Sequence, residues 1–494
     1  MKIIVDSIQT RVIIGGSDYL VDFKLFEVLR NYMSVEVKGS FFAAKHTKFN
    51  WDGKRYFLTP SGKMATGFLP VFLKFLEEEY PDVEIEIEDK RGSIPVFKKD
   101  FVTQIGELTI NEQYEHQKFA IQSLNNYINF RGQKIYFPRG VIDAATNAGK
   151  TNIMAGTLLN LEGEHNMLVI IHRKPVFRQL CQFFRETFNE EIGEINDKKK
   201  TFKHITIAMI QSLDAHIGES SILNYLSSVE LLAVDEAHRA GSKMYAKVIS
   251  RCPAPIRLFV SGSSFDSDDP VSRMTIVGLS GNRLFNIKKR ELMDKGISTP
   301  VVIHMHLSNT ILHYPIIAYD DCLNCLIYES SERISLMSKI IRDRVTAGPV
   351  LIIVEKAEHG KYLFSNLVAE GFNIEMTYSE DKDIRGKIEA YTAGDFDILI
   401  STGVLKEGIN MPLISTIINA AGGKSKIFLK QWLGRGERLS FTKSVVEFHD
   451  FYDIGKFVQK HSMERIALYK QEELEIVYHY DQSIIKRMRL TVVE

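Results

Sequence analysis

The residues with the clearest chemical purpose lie in the stretch ATNAGKT, residues 145–151. It follows directly on the apolar run VIDA, and its types suit a polyphosphate. Gly149 lets the backbone approach the phosphates, Lys150 offers them a point charge, and Thr151 can place its hydroxyl on Mg²⁺. A helix beginning there aims its first N–H groups at the same anion. Thr146, Asn147 and Ala148 complete the loop. The general pattern carries a glycine where this chain has Ala144, so the match departs in one position while the chemical parts are intact. Further along, LLAVDEAH (231–238) ends an apolar run in Asp235 and Glu236. A carboxylate at a strand end is the second Mg²⁺ contact that phosphoryl chemistry uses, and the adjacent Glu236 can orient and deprotonate an attacking water. Two acids at a strand end also solvate a turn without doing chemistry, and the phosphate loop upstream favours the catalytic reading. The combination implies a Mg²⁺-dependent nucleoside triphosphatase.

Such groups must be held at the carboxyl ends of strands. MLVIIH (167–172), LLAVDEAH and RLFVSG (257–262) are strand-like apolar runs ending in polar residues. A second series follows in VLIIVE (350–355), FDILIST (396–402) and ISTIINA (414–420), with helical patterns such as HGKYLFSNLVAEG (359–371) between. There Leu363 and Leu367 share a face and Gly371 suits a helix end. Strand–helix alternation implies parallel sheets, and two series imply two α/β lobes. Residues 1–105 read differently, with alternating stretches VEVKG and VEIEIED, a helix in FLPVFLKFLEEEY, and Asp52-Gly53 as a tight hairpin turn. The expected organisation is a small α+β domain over 1–105, one lobe over 106–298, and a second lobe with a C-terminal helical tail over 299–494.

The chain of 494 residues is 45% hydrophobic and 25% charged, which is ordinary for a globular protein. No apolar run is long enough to span a bilayer, and the N-terminus lacks a signal-peptide pattern, so no membrane role and a cytoplasmic location are expected. Four cysteines make no disulfide framework. Lys+Arg and Asp+Glu number 62 each, so nucleic-acid binding would depend on local basic surface. Cys322 and Cys325 form a lone CxxC without a second pair, and the fourteen histidines show no metal-ligand spacing.

With DEAH and ATNAGKT in place, the chain resembles the superfamily 2 helicases, whose further motifs occur in the right order. Gln117, in YEHQKFAI, stands where that family reads adenine, with His116 where a tyrosine is usual. Ser261-Gly262-Ser263 occupies the coupling motif, and His238 reads as a relay between it and the ATP site. STGVLKEGINMP (401–412) resembles motif V, supplying Glu407 and Gly408, and QWLGRGERLS (431–440) resembles motif VI, with Gln431, Gly434, Arg435 and Arg438. NWDGKRYFL (50–58), SGS, HGKYLF and AAGGKSKIFLKQWLGRGERL bring it nearest to the phage recombination helicases of the UvsW type. The resemblance implies two RecA-like parallel-sheet lobes behind the N-terminal domain, with ATP and Mg²⁺ as cofactors. Arg435 and Arg438 would act as fingers reaching from the second lobe to ATP held by the first. It also implies an ATP-dependent DNA helicase or translocase acting on forks, Holliday junctions or recombination intermediates, with recombination or replication proteins as partners and the host cytoplasm as setting if the chain is phage-encoded.

A motor that moves along a strand grips backbone rather than bases. Candidates are Arg173 and Lys174, Gln211 and Ser212, and Thr402, each also readable as a solvated loop residue or cap. In 41–63, Lys45, Lys48, Lys54, Arg55 and Lys63 interleave with Phe49, Trp51 and Tyr56, a mixture suited to phosphate pairing and base stacking. Trp51 equally suits the core of a small domain. An RNA helicase of the same superfamily and a duplex translocase without strand separation are the alternatives. A small-molecule kinase would leave the second lobe unexplained.

Overall fold

Short apolar runs closed by polar residues become parallel strands in both halves of the chain. The computed structural model describes residues 1–15, 19–38, 40, 51–262, 265, 269–310, 318–403, 414–423, 429, 445–455 and 457–482. Packing divides it into Met1–Ile287 and Lys288–Glu494.

In the first unit a seven-stranded sheet runs in the order Gly193–Ile195, Ile205–Met209, Met167–Ile171, Leu231–Asp235, Ile256–Ser261, Arg139–Ala144, Arg283–Ile287. Every pairing is parallel. Met167–Ile171 and Ile205–Met209 are buried at each position, as strands covered on both faces must be. Met167–Ile171 stops where its run turns polar, and DEAH contributes only its aspartate to the ladder.

The N-terminal residues form a four-stranded sheet in the order Lys63–Ala65, Gln9–Ile13, Lys2–Val5, Glu86–Asp89, with helices Tyr19–Tyr32 and Leu69–Glu79. Its apolar core contains Phe68, Phe72 and Leu76. It also takes in Ile128, Phe130, Ile135 and Phe137, on and beside the hairpin Tyr127–Phe130/Gln133–Tyr136. Packing therefore continues across residue 105. At the seam Gly67 faces the helix Pro270–Ser280 so closely that a Cβ would lie 2.2 Å from the Val277 carbonyl oxygen and 2.5 Å from that of Gly278. The buried Arg139 donates from Nη1 to Ser7 O at 2.9 Å and from Nη2 to Pro255 O at 3.2 Å.

One turn expected from the sequence differs. Gly53 has a positive φ of 78°, and Lys54 N–H donates to Asp52 Oδ1. Yet Lys54–Tyr56 pairs with Ser34–Glu36, and Val37 N–H donates to Gly53 O. Asp52-Gly53 therefore closes a long connection rather than a two-residue hairpin, because the alternating partner lies upstream of the aromatic, basic segment. Lys45, Lys48 and Phe49 lie outside the described residues.

In the second unit the order is Ile374–Thr377, Ile398–Ser401, Val350–Ile353, Thr416–Asn419, Val446–Asp453, Val301–Ser308, Glu475–Tyr478, again all parallel. Ala357–Ala369 is the expected helix, burying Leu363 and Leu367, and Gly371 follows it at φ 88°. No helix among the described residues is long and apolar enough to cross a membrane.

The seam gives a direct test. A methyl at Gly67 meets backbone that cannot swing aside, so Gly67→Ala should destabilise the first unit by about 1–3 kcal/mol. Urea unfolding followed by the fluorescence of Trp51 in a Trp432→Phe background measures it, and an unchanged midpoint would show that the seam is not tightly packed.

Candidate active site

The phosphate loop leaves Arg139–Ala144 and enters the helix Lys150–Leu159. Asn147 and Gly149 adopt φ values of 70° and 79°. Asparagine tolerates that conformation, and the two residues bend the loop into a shape that can hold an anion. Ala144, where the general pattern has glycine, is still within the sheet and pairs with Ile287, so it needs no special backbone freedom. Ala148 is buried. Its N–H donates to Ala145 O at 3.2 Å, and its carbonyl lies 2.9 Å from His116 Nε2. His116 thus braces the loop, an assignment its position before Gln117 did not suggest.

Gln117 lies against the loop, such that a Cβ on Gly149 would sit 2.2 Å from its Nε2. The side chain is buried and its Oε1 has no hydrogen-bond partner. Lys150 Nζ donates to the carbonyls of Ala144 and Ala145 at 3.3 and 3.5 Å, long contacts that phosphate oxygens would outcompete. A positive-φ loop, a helix N-terminus, a poised lysine and a buried unpartnered acceptor together fit a nucleotide. Thr151, in the first turn of the helix, and Asp235, at the end of Leu231–Asp235, stand at the same edge of the sheet and are of the donor types Mg²⁺ takes.

Glu236 follows Asp235 with φ 53°, uncommon for a side chain of this kind. Its carboxylate lies 3.2 Å from His238 Nδ1, which is also 3.2 Å from Ser261 Oγ at the end of the neighbouring strand. Burial pushes the carboxyl upward, but the His238 hydrogen bond and the Lys150 and Arg239 charges outweigh it and hold Glu236 at about 2. An ionised carboxylate accepts, so His238 Nδ1 carries the hydrogen. The expected trio of Glu236, His238 and Ser261 is brought together, with Gly262 following. Ser263 lies outside the described residues.

At the same edge, Arg173 precedes the helix Lys174–Phe188, and Lys174 pairs with Asp197 at 2.7 Å. Gln211 and Ser212 open Ile210–Ala215, and Gln211 Nε2 donates to His172 O at 3.0 Å. His172 was not anticipated. Burial lowers its basicity first, then the charges of Arg239, Arg173 and His238, which places it among these groups. Its place at the end of VIIH was the available signal. In the N-terminal part Trp51 is 37% exposed, its Nε1 donating to Lys54 O at 3.0 Å, so it is not a core residue.

In the second unit Thr402 is buried after Ile398–Ser401. Glu407, Gly408, Gln431, Gly434, Arg435 and Arg438 lie outside the described residues. Four histidines meet here, two on one strand and two distant from it in sequence. His304 Nδ1 is 2.9 Å from His479 Nε2, and His306 Nε2 is 3.0 Å from His449 Nδ1. The His306 and His479 rings stack at 4.4 Å. Paired edge to edge and stacked, their lone pairs do not converge, and no group of three or more such ligands among the described residues is arranged to hold a metal. Cys322 is buried and Cys325 half-buried.

Comparison with known proteins adds a lineage. Residues 110–264 match the family described as type III restriction enzyme, res subunit, and residues 332–440 match the helicase conserved C-terminal domain. The chain is 23% identical over 502 residues to the ATP-dependent DNA helicase uvsW of Enterobacteria phage T4, across 92% of this chain and 95% of that protein. It is also 23% identical over 374 residues to a protein assigned as helicase 22 of Sulfolobus islandicus filamentous virus (isolate Iceland/Hveragerdi), across 69% of this chain and 66% of the relative. A structure of a S. cerevisiae Dbp5 variant bound to RNA and ADP BeF3 has a TM-score of 0.51 at 15% identity, covering 80% of this chain and all of that one. That likeness is one of fold, two RecA-like lobes.

The carboxyl of Glu236 should therefore stay ionised far below neutrality. Its share of stability is present above the ordinary carboxylate value and is lost only as pH falls through about 2. Infrared difference spectra of the wild type against Glu236→Gln should show a carboxylate down to about pH 4, and His238→Ala should move its titration upward. A protonated band near neutral pH would contradict the geometry.

Proposed function

The chain belongs to superfamily 2 of the helicases and hydrolyses ATP as such enzymes do, and from that premise we propose that its substrate is branched DNA. On this reading it unwinds or remodels forks, four-way junctions and recombination intermediates in replication, recombination and repair. The observation that carries the DNA reading is the extent of the match. The relative named as a DNA helicase aligns over 92% of the chain, so more than half of residues 1–105 lies inside the match. The exposed Trp51 beside Lys54 gives that region a side chain able to stack on a base and another able to meet a phosphate.

Gln117 and residues 146–151 hold the nucleotide, with Lys150 moving from the loop carbonyls to the phosphates. Thr151 and Asp235 would hold Mg²⁺, which when bound neutralises charge on the phosphates. Glu236 orients the attacking water. Because the Lys150 charge is one of the influences depressing Glu236, neutralising that charge with phosphate makes the carboxylate a better base when substrate arrives. Gln431, Arg435 and Arg438, with Glu407 and Gly408, complete turnover. Arg173, Lys174, Gln211, Ser212 and Thr402 grip the strand through its backbone, and recombination or replication proteins are the partners such substrates imply.

Lys150→Ala should abolish hydrolysis while leaving most DNA binding, since the gripping groups stand elsewhere; filter binding that fell to background would refute this separation. The substrate reading is tested by the ATPase rate with single-stranded DNA, duplex, fork, four-way junction and RNA of the same sequence. Greatest stimulation by branched DNA supports it. Stimulation by RNA alone would move the chain to RNA remodelling, and equal stimulation by linear duplex without strand displacement would mark a translocase.

A further inference from the structure

Lobe two contains a charged network with almost no access to water. Arg465, on the helix Val458–Gln471, and Arg333, in the first turn of Ser331–Arg344, are fully buried, as are Asp450 and Asp453 on Val446–Asp453. Arg465 Nε donates to Asp450 Oδ2 at 2.8 Å, and Arg333 Nε donates to Asp453 Oδ1 at 2.8 Å. Tyr469 donates to Asp450 Oδ2 at 2.7 Å, and Asn419 Nδ2 to Asp450 Oδ1 at 3.0 Å.

Arg465 Nη2 donates to Phe451 O and Ser462 Oγ, while the Nη1 donors of both arginines meet one short stretch of backbone. Arg333 Nη1 donates to Ala420 O at 2.7 Å. Arg465 Nη1 donates to Gly422 O at 2.8 Å and to Gly423 O at 3.1 Å. Gly422 has φ 66°, and a Cβ there would lie 3.0 Å from Ile327. On Gly423 a Cβ would lie 3.1 Å from Glu355 Oε2. The turn leaving Thr416–Asn419 is thus held by two guanidinium groups and closed in by two neighbouring side chains.

Stability alone is a poor explanation for this arrangement. Buried ion pairs commonly contribute no more than well-packed apolar residues of similar volume would. What the planar guanidinium adds is a fixed fork of donors able to fix carbonyl positions. The chain that leaves this turn continues into the segment carrying Gln431, Arg435 and Arg438. We propose that Arg333 and Arg465 are positioning residues for ATP turnover, fixing the backbone of residues 420–423, which precede that segment in the chain. This rests on the reading of residues 431–438 given above.

The test uses the full chain with DNA present. In Arg465→Lys the charge remains and the fork is lost. We expect kcat to fall by about 10- to 100-fold, as for catalytic groups displaced by a fraction of an ångström to one ångström. KM for ATP, DNA affinity and the cooperativity of thermal unfolding should stay near wild type. Arg333→Lys, which among the carbonyls of the turn loosens only that of Ala420, should show the same pattern more weakly, and it serves alone if Arg465→Lys does not fold. Arg438→Ala is the reference. If it leaves kcat unchanged, the reading of the segment fails. If it removes turnover while folded Arg465→Lys and Arg333→Lys turn over normally, the positioning role alone fails. Where both single variants are impaired, adding Arg465→Lys to Arg438→Ala should cost little further, because the two act through one path. Full additivity, or loss of kcat in step with ATP affinity and stability, would reduce the network to a structural support and overturn the proposal.

Discussion

A parallel sheet covered on both faces delivers the carboxyl ends of all its strands to one edge, and the candidate loop, carboxylates and relay of the first unit depend on that constraint. Ala144 opens the phosphate loop, Asp235 and Glu236 follow the strand two places away, and Ser261 ends the strand between them. His172 and Gln211 end or follow the next strands outward and bond to each other. No long-range folding of loops is needed to gather these residues. The register of adjacent parallel strands gathers them, and helices on both faces make the strands nearly continuous apolar runs.

That same constraint explains which features could be read before the structure. Strands such as Met167–Ile171 announced themselves because every position is buried, and their polar endings marked the functional edge. The proposed phosphate loop accommodates Ala144 because that position sits within the ladder, where glycine has no geometric task. The Asp52-Gly53 hairpin failed because a turn signal says nothing about which distant strand will pair. The boundary at residue 105 did not show as a break in packing, since shared core residues such as Phe130 and Phe137 come from a hairpin that reads as part of the next segment. The histidine group was invisible for a related reason: His304 and His306 lie on one strand, His449 on its parallel neighbour, and His479 follows a third. Parallel neighbours are separated in sequence by whole crossover units, so no local spacing announces such a meeting.

The Glu236–His238–Ser261 link shows how a strained backbone position is maintained. A left-handed φ at a non-glycine residue costs about 1 kcal/mol or more and persists only where surrounding contacts over-determine it. Here the carboxylate is held by His238 and drawn by the charge of Lys150. The strain and the charge pattern are therefore joined: the conformation that aims Glu236 also places it where the charge of Lys150 is felt electrostatically. Through Ser261 the same imidazole touches the neighbouring strand, so a change at Glu236 has a physical route into the sheet edge.

The charged groups around Glu236 and those around Arg465 differ in one respect that decides what each can do. Glu236 keeps 28% of its side chain accessible, so water and substrate can reach it and its charge can respond to them. Arg333, Arg465, Asp450 and Asp453 are sealed from water, and charge balance there cannot change without a large desolvation penalty. A sealed network suits geometry rather than chemistry. Asp450 and Asp453 outweigh the effect of burial and keep the Arg465 guanidinium charged beyond its ordinary range, so its donors stay fixed on the carbonyls of Gly422 and Gly423 whatever the solvent does. An accessible carboxylate poised to react and a buried pair of guanidinium groups that cannot react are thus complementary uses of charge. The first serves the step itself, and the second the fixed backbone from which a neighbouring segment departs.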